Sequence, residues 1–196
     1  MMDKFRLEIT YICGFLTPIV AYTFIFIAIA NAPWFMWHKN ALSDLGAHAG
    51  SDVIFNSGLM IAGILESIFA IGLLNNFKGI IRKIGAVILF LSAIALFGIG
   101  LFPETAGEIH FYFSVAFFVL FPIGIFVFSI PYVRKNENGR MLGFLAIGVF
   151  IASIIIWSFP WKSFGVTGVA IPEFLSSLCG AIWILAASFK LYKKEK

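Results

Sequence analysis

Charged residues are scarce in this sequence, at 12% of 196 residues, whereas soluble domains average about 25%. Apolar residues make up 61%, and the mean hydropathy is +0.98. This composition excludes an ordinary soluble domain. Apolar runs, each close to the ~20 residues that a bilayer core requires, recur along nearly the whole length. The sequence therefore predicts one integral membrane domain over residues 1–196.

Cysteine is also rare, since the chain has only two, Cys13 and Cys179, and both lie inside apolar runs. Such thiols behave as small apolar groups, so a disulfide framework is not expected. The N-terminal apolar run ends at Ala30-Asn31-Ala32, a sequence similar to a signal-peptide cleavage site. This run is longer than the ~7 to 15 residues of a cleaved segment, so we interpret it as the first transmembrane helix.

Segments rich in proline, glycine and aromatic residues separate the apolar runs and mark the ends of helices at a membrane interface. The pattern predicts an all-α membrane protein with six transmembrane helices in one bundle. Their predicted ranges are about 8–31, 53–74, 84–102, 109–130, 141–159 and 169–191.

Lysine and arginine are distributed very unequally between the two predicted sides of the membrane. Only Lys39 and Lys162 fall on one side, and the other side has Lys4, Arg6, Lys78, Arg82, Lys83, Arg134, Lys135, Arg140, Lys190, Lys193, Lys194 and Lys196. Basic residues in short loops are retained in the cytoplasm, so both termini are expected on the cytoplasmic side of the cell membrane. Topology and the anionic inner leaflet account for the net charge of +4, and no nucleic-acid partner is expected.

The same assignment places every histidine on the extracellular side, together with several acids: His38, His48, His110, Asp44, Asp52, Glu104, Glu108 and Glu173. The stretch from Trp37 to Asn56 contains four of these residues and is expected to form a lid over the outer end of the helices. Because the other outer loops are short, these polar groups are expected to lie close together. This end is the candidate site.

Three residues, Asp44, His110 and Glu173, are the candidates for central or catalytic groups in this site. Further candidates for contacts with a substrate are Ser43, Asn56, Glu66 and Glu104. Glu66 lies on one helical stripe with Asp52, Asn56 and Gly63, and an ionisable residue inside a membrane segment is a functional hypothesis by default.

Structural alternatives stay open for most of these groups. Glu66 is equally well interpreted as a neutral acid that bonds to a neighbouring helix. Ser43-Asp44-Leu45-Gly46 can be a cap and turn. For three serines one turn or less from candidate residues, we favour a role in close helix packing: Ser114, Ser176 and Ser177.

A metal site is a further alternative, because three histidines and a carboxylate would suffice to bind zinc with an activated water. His38, His48 and His110 are weak candidates for it. They lack the spacing of an H-x-x-x-H or H-E-x-x-H pair, and their positions at the rim also disfavour a haem inside the bundle.

Several short motifs occur in a fixed order: Leu42-Ser43-Asp44-Leu45-Gly46, Asn56 at the head of a helix, Phe102-Pro103-Glu104 followed by His110, and Ile171-Pro172-Glu173. In these motifs the chain resembles the DUF998 family of small prokaryotic membrane proteins, over nearly its whole length. The resemblance implies about six spans and no established activity. More distantly, the chain is similar to the Frag1/DRAM/Sfk1 group of six-span proteins, some of which handle lipids or GPI anchors. It also resembles ceramidase-like zinc hydrolases remotely but lacks their paired histidines.

The sequence indicates no particular reaction and leaves two main hypotheses. The first is an outward-facing polar site that binds, or modifies, a lipid or lipid-linked substrate. The second is a non-catalytic subunit or scaffold of a membrane complex, or a homo-oligomer. The first predicts an enclosed hydrated cavity at the outer end, and the second predicts that the polar side chains bond to backbone with no cavity left. A metal-dependent membrane hydrolase is the third alternative.

Overall fold

The computed structural model describes residues 4–134 and 139–195, and these residues form six α-helices and no strand. Every helix is long and apolar enough to cross a membrane. The predicted all-α architecture of a multi-pass membrane protein is therefore confirmed. In chain order the helices are α1 (Lys4–Ala30), α2 (Asp52–Asn76), α3 (Ile80–Leu101), α4 (Glu108–Arg134), α5 (Arg140–Ser158) and α6 (Ala170–Glu195).

The helices pack in sequence order around the bundle, and α6 returns to contact α1. Packing is extensive from α1 through α4 and sparser where α5 meets α4 and α6. Only 28% of the apolar segment of α5 is buried, against 56% for α3. The fifth helix is thus the most peripheral, and the bundle is least tightly closed around it.

Glycine allows a close approach of helix backbones in the bundle. A Cβ atom placed on Gly63 of α2 would lie 2.7 Å from the backbone nitrogen of Phe97 and 2.9 Å from the carbonyl oxygen of Ala93, both in α3. Atoms at these distances overlap, so this contact needs a residue without a side chain. The expectation that small residues let these backbones approach holds at Gly63.

Several helix ends differ from the prediction; α1 begins at Lys4 instead of 8, and α6 ends at Glu195 instead of 191. The third helix begins at Ile80 instead of 84, because Gly79 makes the turn with a φ of 101° and the basic residues Arg82 and Lys83 are already helical. The fourth helix continues through Pro131 to Arg134 instead of ending at 130. Proline removes one backbone bond, but packing can retain the helix, and the side chain of Tyr132 is 2% exposed.

Six consecutive spans place both termini at one end of the bundle and three connections at the other. We call this other end the loop end; it consists of the long loop (residues 31–51) and the segments 102–107 and 159–169. Which side of the membrane it faces remains a prediction from the basic residues. Two of those, Lys135 and Lys196, lie outside the described residues, as does part of the predicted 131–140 loop.

Candidate functional site

The long loop reaches the site through a series of tight turns. The backbone nitrogens of Lys39 and Asn40 both donate to the carbonyl oxygen of Met36, at 2.9 and 3.0 Å. A 3-10 turn follows at Ser43–Gly46 and places the apolar side chains of Leu42 and Leu45 in the core. The polar side chains of the turn are consequently held directly above the bundle.

Asp44 stabilises this turn from within the loop. Its Oδ2 atom accepts hydrogen bonds from Asn40 Nδ2 at 2.6 Å and from the backbone nitrogen of Ala41 at 3.0 Å. Its carbonyl oxygen contacts Nδ1 of His48 at 2.9 Å, and the ring of His48 lies 4.2 Å from that of Trp34. Asp44 thus accepts a backbone N–H, as the turn interpretation expects, but the 3-10 turn has no side-chain cap and Gly46 does not have a positive φ.

Glu104 joins the 102–107 segment to the same turn. Ser43 Oγ donates to Glu104 Oε2 at 3.4 Å, and the carboxyl groups of Glu104 and Asp44 are within hydrogen-bonding reach. Partial burial of the Glu104 carboxyl, together with the neighbouring Asp44, raises the pKa of Glu104 to about 7. Ser43 and His48 act in the opposite direction and lower it. Glu104 and Asp44 thus form a carboxyl pair in which Glu104 changes charge near neutral pH.

Glu173 attaches the long loop to the last helix. It lies in the first turn of α6 and is 8% exposed, and its Oε2 atom accepts the backbone N–H of Leu42 at 2.7 Å. The backbone reinforces this contact, since the carbonyl oxygen of Asn40 accepts the N–H of Ala170 at 2.9 Å and that of His38 accepts the N–H of Thr167 at 2.8 Å. The start of α6 is therefore bonded to the long loop at several points.

His110 and Ser114 form a pair on α4. His110 Nδ1 lies 2.7 Å from the carbonyl oxygen of Phe102, and Ser114 Oγ lies 3.2 Å from His110 Nε2. A carbonyl only accepts, so Nδ1 donates to it; when the ring is neutral, Nε2 then accepts the Ser114 hydroxyl proton. The ring thereby fixes the direction of the Ser114 hydroxyl.

Asn56 supports the loop from α2. Its Nδ2 atom donates to the carbonyl oxygen of Gly46 at 2.9 Å, and a side chain on Gly46 would collide with Asn56 Oδ1. Among the described residues, Oδ1 is a buried acceptor without a hydrogen-bond partner. Asn56, a predicted substrate contact, thus bonds through its side chain to the backbone of the turn.

A cavity of about 90 Å³ lies beneath the loop end, large enough for several water molecules. Leu42, Ser43 and Glu173 line it near the loop, and Glu66 lines it deeper in the bundle. Glu66 is 1% exposed and accepts a hydrogen bond from Ser92 of α3 at 3.0 Å. The alternative interpretation of Glu66, a bond to a neighbouring helix, matches this contact, although Glu66 also lines the cavity. The other polar residues in the wall are Thr17, Tyr22, Ser114 and Ser177.

A second space, a groove of about 600 Å³, lies on the outside of the bundle where α5 packs loosely. Its walls are mainly apolar and include Ile154 and Trp157 of α5. Ser114, Phe118 and Glu173 line both the groove and the cavity. The buried Glu173 carboxyl therefore lies where the external groove meets the internal cavity, and the walls of both spaces are mainly apolar.

The three histidines do not assemble a metal site. Within the described part of the chain, no group of three or more histidine, cysteine, aspartate or glutamate side chains is placed to hold a metal ion. His110 turns to Phe102 and Ser114, His48 packs on Trp34, and His38 is exposed. Zinc chemistry built on these residues does not fit this geometry.

Several contacts of the site were outside the reach of sequence reasoning. The serine of α6 that packing was expected to explain, Ser177, has its Oγ 3.0 Å from the hydroxyl oxygen of Tyr22 in α1. Ser92 and the backbone N–H of Leu42 were not singled out either. Tyr22 and Ser92 lie in long apolar segments, and a backbone N–H has no sequence signal at all.

Comparisons with known proteins identify a family but no function. Residues 15–190 match the model of a family described as DUF998, a protein of unknown function. Neither curated proteins nor solved structures match the chain, so the distant similarity to the Frag1/DRAM/Sfk1 group stays a prediction. The family match spans far more than half of the sequence. This six-helix membrane protein therefore belongs to the DUF998 family.

Proposed function

We propose that this protein binds a membrane lipid or a lipid-linked amphiphile at its loop end. The apolar tail would occupy the groove beside α5, and the polar end would reach Glu173. The observation that carries this proposal is the sharing of Glu173 and Ser114 between the external groove and the internal cavity. An amphiphile has two matching parts, an apolar chain for the groove and a polar end for Glu173 and Ser114.

Size and chemistry support the proposal. The groove volume of about 600 Å³ falls within the range of roughly 300–1,000 Å³ that is usual for ligand pockets. Ligand pockets are mostly apolar with a few polar groups that fix orientation, as in this groove. In a bilayer the chain of a lipid gains little from an apolar groove, because its surroundings are already apolar. Selectivity would therefore depend on the polar contact at Glu173.

A pair of substitutions on α5 tests this proposal. Ile154 lines the groove and Ile151 does not, yet the two side chains are similarly exposed, at 53% and 50%. We expect Ile154→Trp to reduce the amount of co-purified lipid by about tenfold, equivalent to about 1.4 kcal/mol, since the larger side chain takes up space that the lipid chain needs. Ile151→Trp should retain the wild-type amount. Native mass spectrometry of the purified protein measures both.

The proposal would be wrong if the wild-type protein retained no lipid, or if both tryptophan variants retained as much as wild type. Thermal stability in the same detergent serves as the folding control for both variants.

A scaffold role is the second candidate, and one observation favours it. Asp44, His110 and Glu173 each bond to a backbone group, which is the pattern expected if these side chains only hold the loop end together. The cavity beneath them is the feature that this role leaves without a purpose. A wild-type protein free of lipid but recovered in a complex of defined mass would support the scaffold over the lipid site.

A further inference from the structure

The polar side chains where the groove meets the cavity present acceptors of hydrogen bonds. A glutamate carboxyl group keeps acceptor lone pairs in either protonation state, and the N–H of Leu42 uses one acceptor position on Glu173. When His110 is neutral and its Nδ1 donates to Phe102, the hydroxyl proton of Ser114 points to His110 Nε2. The lone pairs of Ser114 Oγ are thereby left to accept. Both residues that link the two spaces are suited to receive donors.

The charges around the cavity and the groove disfavour an anionic ligand. None of the described residues that line the cavity or the groove is a lysine, arginine or histidine, whereas two of them, Glu66 and Glu173, are acids. A phosphate or carboxylate head group placed here would lose its hydration without gaining a cation, and burying an unpaired charge is costly.

From these two observations we propose that the ligand carries a hydrogen-bond-donating, non-anionic polar end, namely a hydroxyl or an amine, which donates to Glu173 and Ser114. An amphiphile with a phosphate or carboxylate at that position would be excluded. This inference rests on the proposed lipid site and specifies the chemistry of its ligand. His110 is then a positioning residue, since it acts through the orientation of the Ser114 hydroxyl.

The test uses three probes that share one saturated chain: lauryl alcohol, laurylamine and laurate. Delipidated full-length protein in a non-ionic detergent is mixed with equal amounts of all three and analysed by native mass spectrometry. We expect the alcohol or the amine to bind at least about tenfold more than laurate, equivalent to 1.4 kcal/mol. Equal or stronger binding of laurate would overturn the inference while leaving the lipid site intact.

Two variants test the residues named. Glu173→Gln replaces one carboxyl oxygen by an amide donor, so the preference against laurate should fall several-fold. Ser114→Ala removes the second acceptor without disturbing the loop bonds, so binding of the alcohol should fall several-fold even if the Glu173 variant does not fold. Glu108→Gln changes an exposed acid outside both spaces and should leave the preference unchanged. An unchanged preference in both Glu173→Gln and Ser114→Ala would contradict the inference.

The outcomes separate this inference from the proposed function. If none of the probes binds, or if Ile154→Trp binds all three as well as wild type, the groove is not a lipid site and both proposals fail. If binding depends on Ile154 but does not distinguish the three polar ends, only the inference about the ligand fails.

Discussion

At the scale of single residues, the hydrogen bond between the N–H of Leu42 and Glu173 joins parts of the chain that are far apart in sequence. We expect Glu173→Ala to lower the free energy of unfolding by about 1–3 kcal/mol, because it leaves a buried N–H without its acceptor. Glu173→Gln retains an acceptor oxygen and should cost less. Unfolding in mixed detergent micelles measures both changes.

Glu108→Gln is the control for these measurements, since Glu108 is exposed at the start of α4 and substitutions of this kind change stability by no more than about 0.5 kcal/mol. Equal stability of Glu173→Ala and wild type would mean that water replaces the carboxylate at Leu42.

Glu104 makes the loop end sensitive to pH. Partial burial and the nearby Asp44 raise the pKa of Glu104 to about 7, from 4.5 for an unperturbed glutamate. Between these values the folded protein binds more protons than the unfolded chain, so stability is highest below the lower value and falls as the pH rises towards the upper one. We expect the melting temperature to fall between pH 5 and 8 in wild type and to fall less in Glu104→Gln.

Glu108→Gln again provides the matched comparison, because it removes an acid from the neighbouring helix end and should keep the wild-type pH dependence. An identical pH dependence in Glu104→Gln and wild type would exclude the Asp44–Glu104 pair as its source.

At the scale of helices, contact between backbones holds α2 against α3. Gly63→Ala should destabilise the protein, because the new methyl group would lie 2.7 Å from the backbone nitrogen of Phe97 and neither helix can yield locally. Gly148 on α5 has nothing within 4 Å of an added Cβ, so Gly148→Ala should be neutral or stabilising by up to about 1 kcal/mol.

Thermal unfolding followed by size-exclusion chromatography distinguishes the two alanine variants. Equal effects at Gly63 and Gly148 would show that helix propensity, and not the approach of α2 to α3, determines the cost.

The sequence pattern predicted the existence of the six helices better than it predicted where they end or which distant residues they contact. Long apolar runs identify spans because a bilayer imposes their length, and the six spans are confirmed. Pro131 suggested an early end to α4, but packing of Tyr132 overrides the local preference of proline. The partners of Glu66 and Glu173 depend on how distant segments dock, and a single sequence does not encode that pairing in any local pattern.

The groove was likewise beyond prediction from the sequence. It exists because α5 packs less closely than the other helices, yet the apolar residues of α5 resemble those of any span. One stated expectation was an enclosed hydrated cavity, and the other was backbone bonding of the polar side chains with no cavity left. The loop end has a cavity together with backbone bonding, so it matches neither expectation in full.

At the scale of the whole molecule, the orientation in the membrane is still a prediction. In a Cys13→Ala, Cys179→Ala background, a single cysteine at Thr105 should react with a membrane-impermeant maleimide on intact cells, whereas one at Lys78 should react only after lysis. Both positions are exposed, and they lie at opposite ends of the bundle. The reverse labelling pattern would place the loop end in the cytoplasm.

The hydrogen bonds between the long loop and the start of α6 also determine which part of the protein can form last during synthesis. Leu42 bonds to Glu173, 131 residues later in the chain, and His38 and Asn40 bond to Thr167 and Ala170. At roughly 5–20 residues per second, these partners emerge on the order of 10 s after the loop itself. During that interval the long loop has been synthesised, but its hydrogen-bond partners Thr167, Ala170 and Glu173 have not. The loop end of this protein is therefore finished last, although the residues of the long loop are translated among the first.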